Sequence, residues 1–508
     1  MVAVKVLLVV IDAASPRVFC PAVQTGRLKN FKLLAEAGEM HQESVSIFPS
    51  ITPAATSSII TGCYPSQHGI VGASWYDERS DQVAYYGDDF WVVAARGFGA
   101  FLRDFLVHLN GDRLTAPTLF ESVEGAGREA ACFNFLVYRG LKPHRVNIPW
   151  LLAVLPGTPL TETVLGPTTL CLGDFVSDGR GHAPSPKPHG ALHRFGMDDA
   201  GTGSMLCQAA AEGTLPDFTV AYFADNDYRS HEVGPFGALP VLDRVDAALG
   251  ATFEAAGGIE RFLSETCVIV TSDHGHCDIL EDADAAVIHL DNLYSDFAQA
   301  TLGKPWNARD QIMICPNMRA AQLYVHGTAS VAQVVQTALK EPRIDLVIWR
   351  GGETPATRRY HVSGPRGTLA FWRHGGGGRE GRDAQGTAWR WDGDPAVLRL
   401  ETSDGLVHSA DYPNPFERIA GALDADAAGD VWLTAQPGCE FEVRGGQPHV
   451  GAGSHGALHT LDSLSPVIVA GASMRLPRTL RSIDLAALCM RALGLTSRRE
   501  IGAPALRD

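Results

Sequence analysis

Six acidic and imidazole side chains stand at the ends of apolar runs: Asp12, Asp227 with His231, Asp273 with His274, and His455 inside GAGSHGALH. Three carboxylates and three imidazoles, with no thiolate among them, suit Zn2+, and the same donors accept Mn2+ or Fe2+. Asp227 and His231 are four residues apart, so a single helical turn aims both at one ion. Asp273 and His274 are adjacent and fit a strand end or a tight turn. Asp225 competes for the same role but lies six residues from His231, a spacing that favours Asp227. His276, His289 and His459 lie near these groups and read as supporting or incidental.

Segments hundreds of residues apart must bring these groups together. The run VKVLLVVI over 4–11 is continuously apolar and β-branched, the pattern of a central parallel strand covered on both faces. TCVIVTSDHG and TVAYFADND repeat it, and each run ends in acidic residues where open α/β sheets build their sites. LPVLDRVDAALGATFEAA from 239 and DLAALCMRALG near the C-terminus carry helical spacing between them. The expected fold is one α/β domain over 1–508: a doubly wound, mostly parallel central sheet with helices on both faces. Two stretches break the alternation and read as cap insertions. Residues 72–200 are suited to substrate selection, and 341–430 form a smaller accessory region whose HGGGGREGRD reads as a loop, not a phosphate cradle.

The balance of the chain narrows the partners. With 45% hydrophobic and 19% charged residues it reads as a soluble globular protein. The net charge of −15 leaves no broad positive field for a nucleic-acid polymer. An anionic substrate must then meet local positive charge, which divalent metals supply compactly. MVAVKVLLVV ends at Asp12 without a cleavage pattern and reads as a strand, and no run is long enough to cross a membrane. Ten scattered cysteines without a C-x-x-C pair fit a reduced, cytoplasmic interior. A homo-oligomer is left open.

Taken in order, VLLVVIDAA, FPSITPAATSSIITGCYPSQHGI, YFADNDYRSHEVGP, VIVTSDHG and GSHG followed by SPVIVAG resemble the alkaline phosphatase superfamily, especially its phosphodiesterase and nucleotide pyrophosphatase branch. The resemblance implies two divalent metals. One would take Asp12, Thr52, Asp273 and His274, and the other Asp227, His231 and His455. It also implies that Thr52 is the nucleophile, because in related sulfatases the reactive residue lies nine positions before the Thr of T-G-x-x-P, here Thr61. Cys63 mimics a sulfatase motif but belongs to the later TGCYP element. Thr56, Ser57 and Ser58 read as caps of a helix that starts after the nucleophile. The implied course is attack by Thr52 on phosphorus, loss of the leaving group, and hydrolysis of a phospho-threonine.

One departure bears on substrate. Where nucleotide pyrophosphatases and phosphonoacetate hydrolases have an Asn five residues after the His of HGI, this chain has Ala73, with Ser74 next to it as a partial substitute. Ser230 also stands where the family has Gly. In the first insertion Tyr138, Arg139, Lys142 and Arg145 form a basic turn able to meet a substrate anion, and Trp75 and Tyr76 read as core. The expected activity is hydrolysis of a small-molecule phosphoester of phosphodiesterase type. A phosphomonoesterase or phosphonoacetate-type hydrolase uses the same ligands, and a non-hydrolytic metal-binding protein is the alternative of a different class.

Overall fold

In the computed structural model of the chain, residues 5–87, 98–149, 152, 162–176, 191–352, 354, 357–472 and 476–506 are described. The apolar runs become strands Lys5–Ile11 (β1), Phe218–Phe223 (β2) and Thr266–Thr271 (β3), joined by Leu464–Ala470 (β4). β1 pairs in parallel with β2 on one side and β3 on the other. Val6, Leu8 and Val10 enter one core cluster, while Leu7, Val9 and Ile11 enter a second on the opposite face. An uninterrupted apolar run is what a strand with two covered faces requires.

The full order across this eight-stranded sheet is Leu480–Arg481, Gly38–Val45, β4, β3, β1, β2, Ala130–Phe133 and Thr169–Cys171. Only the pairings of β4, with β3 and with Gly38–Val45, are antiparallel. The doubly wound, mostly parallel α/β fold is therefore as the sequence indicated. The helix over Leu239–Ala255 buries Val241, Leu242, Val245, Leu249 and Phe253, the three-and-four spacing of one covered face. Ala130–Phe133 and Thr169–Cys171 come from within 72–200, so that stretch contributes strands as well as two hairpins. Each is four residues or fewer, too short for a periodicity signal. The rest of the stretch at 88–97, 150–151, 153–161 and 177–190 lies outside the described residues.

A second sheet of ten strands runs from Ile312 to Ala435. It is antiparallel apart from one parallel pairing, Arg382 with Leu406. It thus begins before residue 341 and inserts Val431–Ala435 between Ala320–Val325 and Ile344–Gly351. The glycine run connects two of its strands, Gly367–Trp372 and Arg379–Arg382.

Three helices tie the sheets to the site: Thr52–Thr61 (α1), Asp225–Gly237 (α2) and Pro415–Leu423 (α3). Every residue of α3 is buried. At Gly421 a Cβ would lie 2.6 Å from Tyr64 Cγ, so the helix reaches the segment after α1 only because that position lacks a side chain. Among the described residues no helix is long and apolar enough to cross a membrane.

Candidate active site

The three central strands deliver the acidic groups to one edge of the sheet. Asp12 follows β1, Asp273 follows β3, and Asp227 lies in the first turn of α2, which begins two residues after β2. Asp12 Oδ2 accepts from the Tyr222 hydroxyl, and its backbone carbonyl accepts from Asn226 Nδ2 at 2.9 Å. Asp273 Oδ1 accepts from the amides of Ala13 (3.1 Å) and His274 (3.0 Å). Each carboxylate is thereby fixed by one oxygen. The other oxygens, Asp12 Oδ1 and Asp273 Oδ2, are buried without a hydrogen-bond partner.

The three expected imidazole ligands share one arrangement. His274 Nδ1 faces the Gly275 carbonyl at 3.0 Å, His231 Nδ1 that of Gly453 at 2.9 Å, and His455 Nδ1 that of Ser50 at 2.9 Å. A carbonyl only accepts, so each Nδ1 carries the proton and each Nε2 presents a lone pair, the tautomer a metal needs. Those Nε2 atoms converge. His231 Nε2 is 3.4 Å and His455 Nε2 3.5 Å from Asp227 Oδ1, and His274 Nε2 is 3.4 Å from Asp273 Oδ2 and 3.7 Å from Asp12 Oδ1.

Thr52 opens α1, with its hydroxyl 3.1 Å from His274 Nε2. Pro53 sits in the first turn, where a missing N–H costs nothing, and Gly62 ends the helix at a φ of 68°. The hydroxyls expected to cap this helix do not. Thr56 and Ser57 donate to the carbonyls of Thr52 (2.6 Å) and Pro53 (2.7 Å), and Ser58 pairs with His68 Nε2 at 2.9 Å. The helix starts at Thr52 itself, which places those residues past the turn whose amides need caps.

The donor set fits a pair of divalent ions. Ligand atoms of Asp227, His231, His276 and His455 lie within 4.8 Å of one another, and so do those of Asp12, Asp227 and His274. Burial, reinforced by Asp273 and Asp227, holds Asp12 well above the usual carboxylate range, and Asp273 is raised by burial with Asp227 adding to it. Burial would raise Asp227 too, but His231, His276 and His455 outweigh it and hold that group well below. Carboxylates crowded out of water are what a bound cation relieves. Burial, with His274 next, keeps His455 neutral and able to bind.

A stability prediction follows from the sign of the Asp12 shift. A carboxyl raised in the folded state holds a proton that the unfolded chain releases above 3.8, so it costs the metal-free protein stability as pH rises through that value toward the folded pKa. Asp12→Asn should therefore raise the metal-free Tm at about pH 8 by on the order of 1–3 °C, with the gain vanishing near about pH 4. With metal present the same change should lower Tm, through lost binding. Calorimetry with and without chelator reads both signs, and a metal-free Tm that falls at high pH would contradict the charge crowding.

The remaining expected residues lie elsewhere. Asp225 pairs with Arg194, which leaves Asp227 facing the imidazoles. Ser230 is buried and donates to the Asn226 carbonyl at 2.7 Å. Asn317 Oδ1 accepts from the amides of Ala73 (2.6 Å) and Ser74 (3.2 Å), while the Ser74 hydroxyl is buried without a partner. Tyr138 is buried and donates to the Leu106 carbonyl at 2.5 Å. Arg139 is held by Glu121 and the carbonyls of Leu114 and Ala116, and Lys142 is exposed on a hairpin strand. Among the contacts of the described residues, none joins Tyr138, Arg139 or Lys142 to Thr52. Trp75 is core, stacked on Tyr86 with centroids 5.4 Å apart.

Two further histidines join the site: His276, which the sequence named only as supporting or incidental, and His449, which it did not single out. His276 is buried with Nε2 2.9 Å from Asp227 Oδ1; its signal is the repeat in D-H-G-H, two residues past His274. His449, held by Glu440 through its amide and its Nδ1, lies against the His231 ring at 4.2 Å between centroids. No local pattern marks it.

A family model described as Type I phosphodiesterase / nucleotide pyrophosphatase matches residues 6–458. No curated protein matches the chain. Among solved structures, murine ectonucleotide pyrophosphatase / phosphodiesterase 5 gives a TM-score of 0.57 at 13% identity, covering 98% of this chain and 96% of that one. An inactive form of that protein in complex with AMP gives 0.58 at the same identity and coverage. Phosphonoacetate hydrolase from Sinorhizobium meliloti 1021 in complex with phosphonoformate gives 0.56 at 16% identity, covering 97% and 96%. At such identities the structural likeness shows a shared fold.

Proposed function

Because the chain belongs to the type I phosphodiesterase / nucleotide pyrophosphatase family, a family of phosphoester hydrolases, we propose that it hydrolyses small phosphodiesters through a phospho-threonine formed on Thr52 beside two divalent metals. The observation that carries this reading is Thr52 Oγ1 at 3.1 Å from His274 Nε2, next to buried carboxylate oxygens that lack partners. Asp12, Asp273 and His274 would hold one ion beside Thr52, and Asp227, His231 and His455 the other. When bound, such ions lower the pKa of a coordinated hydroxyl and neutralise charge on phosphoryl oxygens. The nitrogen and oxygen donors favour Zn2+, with Mn2+ and Fe2+ as alternatives for metal analysis to separate.

The chain's own residues set the course. Thr52 attacks phosphorus as the bond to the leaving oxygen breaks, and water then cleaves the phospho-threonine, giving net retention at phosphorus. Thr52 at the start of α1 lets the first backbone amides and the helix dipole favour the anionic phosphoryl group. Ser74, with its buried hydroxyl unpartnered, is the candidate contact to a phosphoryl oxygen near Ala73. Relatives solved with AMP and with phosphonoformate support a small phosphoryl compound as substrate. Ten scattered cysteines without a C-x-x-C pair support a reducing, cytoplasmic setting.

The test is a panel of an aryl phosphodiester, an aryl phosphomonoester and phosphonoacetate assayed with Zn2+-, Mn2+- and Fe2+-loaded protein. We expect the highest kcat/KM on the diester. Preference for the monoester or phosphonoacetate would reassign the substrate but keep the site. Two bound ions with no turnover on any member would overturn catalysis in favour of a metal-binding role.

A further inference from the structure

Arg418, in α3, is fully buried and makes no ion pair with any described carboxylate. Its Nη1 donates to the carbonyls of Pro413 (3.1 Å) and Leu458 (2.9 Å), and its Nη2 to Ser463 Oγ (2.6 Å), the Ile47 carbonyl (3.1 Å) and Ser50 Oγ (3.3 Å). Burial pulls the guanidinium down to about 9, with Tyr64 and Asp462 opposing, so it stays charged at neutral pH. A buried charge without a counter-charge is costly, and an apolar side chain of similar volume would avoid that cost.

What the guanidinium spans gives it a use. Ile47 and Ser50 lie just before Thr52, and Leu458 and Ser463 just after His455. The same two segments meet directly: Ser50 N donates to the Gly456 carbonyl at 3.2 Å, Ser50 Oγ to that of Ala457 at 3.2 Å, and His455 Nδ1 to that of Ser50 at 2.9 Å. A second buried arginine, Arg319, grips the same loop through Asp462 and through its amide to the His455 carbonyl at 2.9 Å. Arg319 has its carboxylate; Arg418 spends its Nη donors on these two chain segments and on the Pro413 carbonyl just before its own helix.

We propose that Arg418 is a positioning residue that fixes Thr52 and His455 relative to each other, so that the nucleophile and the second ion's ligand stay in register. This rests on the functional reading above. The second sheet, through α3, is then part of the catalytic frame. Reacting groups displaced by about 1 Å lose on the order of 100-fold in rate, and a lysine at 418 reaches with one ammonium where the guanidinium forks to two segments.

The experiment compares wild type, Arg418→Lys, Arg418→Ala and the Ser50→Ala/Ser463→Ala double variant. All are loaded with Co2+ and read by cobalt absorption, metal stoichiometry, Tm, and kcat and KM on bis(p-nitrophenyl) phosphate. For Arg418→Lys we expect a folded protein with two cobalt ions, an altered cobalt spectrum, kcat down by about 100-fold and KM changed by less than about fivefold. Added guanidinium should restore part of kcat in Arg418→Ala. Wild-type kcat and spectrum per folded molecule in Arg418→Lys would overturn the proposal. If neither Arg418 variant folds, the double-serine variant decides: a kcat loss of about tenfold or more supports positioning, and an unchanged kcat overturns it. If wild type binds two cobalt ions but hydrolyses nothing, the functional reading has failed, and an unchanged cobalt spectrum in the variants would then overturn the positioning role separately. If wild type takes up no cobalt, both fall.

Discussion

Thr52→Ala should lower kcat on the preferred phosphoester by about 10^4-fold or more while the protein still binds both metals. The expectation combines two facts. The hydroxyl is the only reactive part of Thr52 near His274 Nε2, and an ion held beside it would keep three further donors in Asp12, Asp273 and His274. Alanine keeps the start of α1, because the residue opens that helix with no side-chain cap bond. Stability should therefore change little. Metal analysis, stopped-flow turnover and mass spectrometry of acid-quenched protein check the three parts together. A phosphoryl adduct elsewhere, or kcat within about tenfold of wild type, would remove Thr52 from the nucleophile's role.

The second large effect is expected at Asp227. Its Oδ1 stands 2.9 Å from His276, 3.4 Å from His231 and 3.5 Å from His455, so it is the one negative group among three imidazoles. Asp227→Ala should cost one equivalent of metal at micromolar free Zn2+ and about 10^3-fold in kcat/KM. The imidazoles remain but lack the charge that holds a dication in a buried setting. Asp225→Ala is the matched control. It removes only the partner of Arg194 and should leave metal stoichiometry at the wild-type value. Equal loss in both variants would show that α2 had unfolded.

The sequence made legible what local chemistry dictates. A strand covered on both faces must be apolar throughout, so β1, β2 and β3 stood out; that they pair side by side is seen only in the fold. The helical spacing of Asp227 and His231 separated the facing carboxylate from Asp225, which turns to Arg194. Thr52 was reached through its spacing to Thr61 together with the family resemblance. What stayed hidden depends on long-range contact. Arg139 in VYRGLKPHR looks like an anion trap, yet Glu121 and two carbonyls consume its guanidinium. Arg418 has no pattern around it, because its acceptors are main-chain carbonyls and serines from two distant segments. Strands such as Glu401–Ser403 are too short for a period of two to register, and so the extent of the second sheet could not be read.

The hydrogen bond between His455 and Ser50 joins positions separated by 405 residues. During synthesis at about 5–20 residues per second, the segment leading into Thr52 waits roughly 20–80 s for its partner to emerge. About halfway through that interval β2 and β3 emerge with Asp227, His231, Asp273 and His274, while His455 and β4 follow only at its end. The second ion's ligand set is completed only by His455, so uptake of that ion reports that the segments around Ser50 and His455 have met. Cobalt or zinc binding measured on chains stalled at successive lengths should gain its second equivalent only once His455 has emerged.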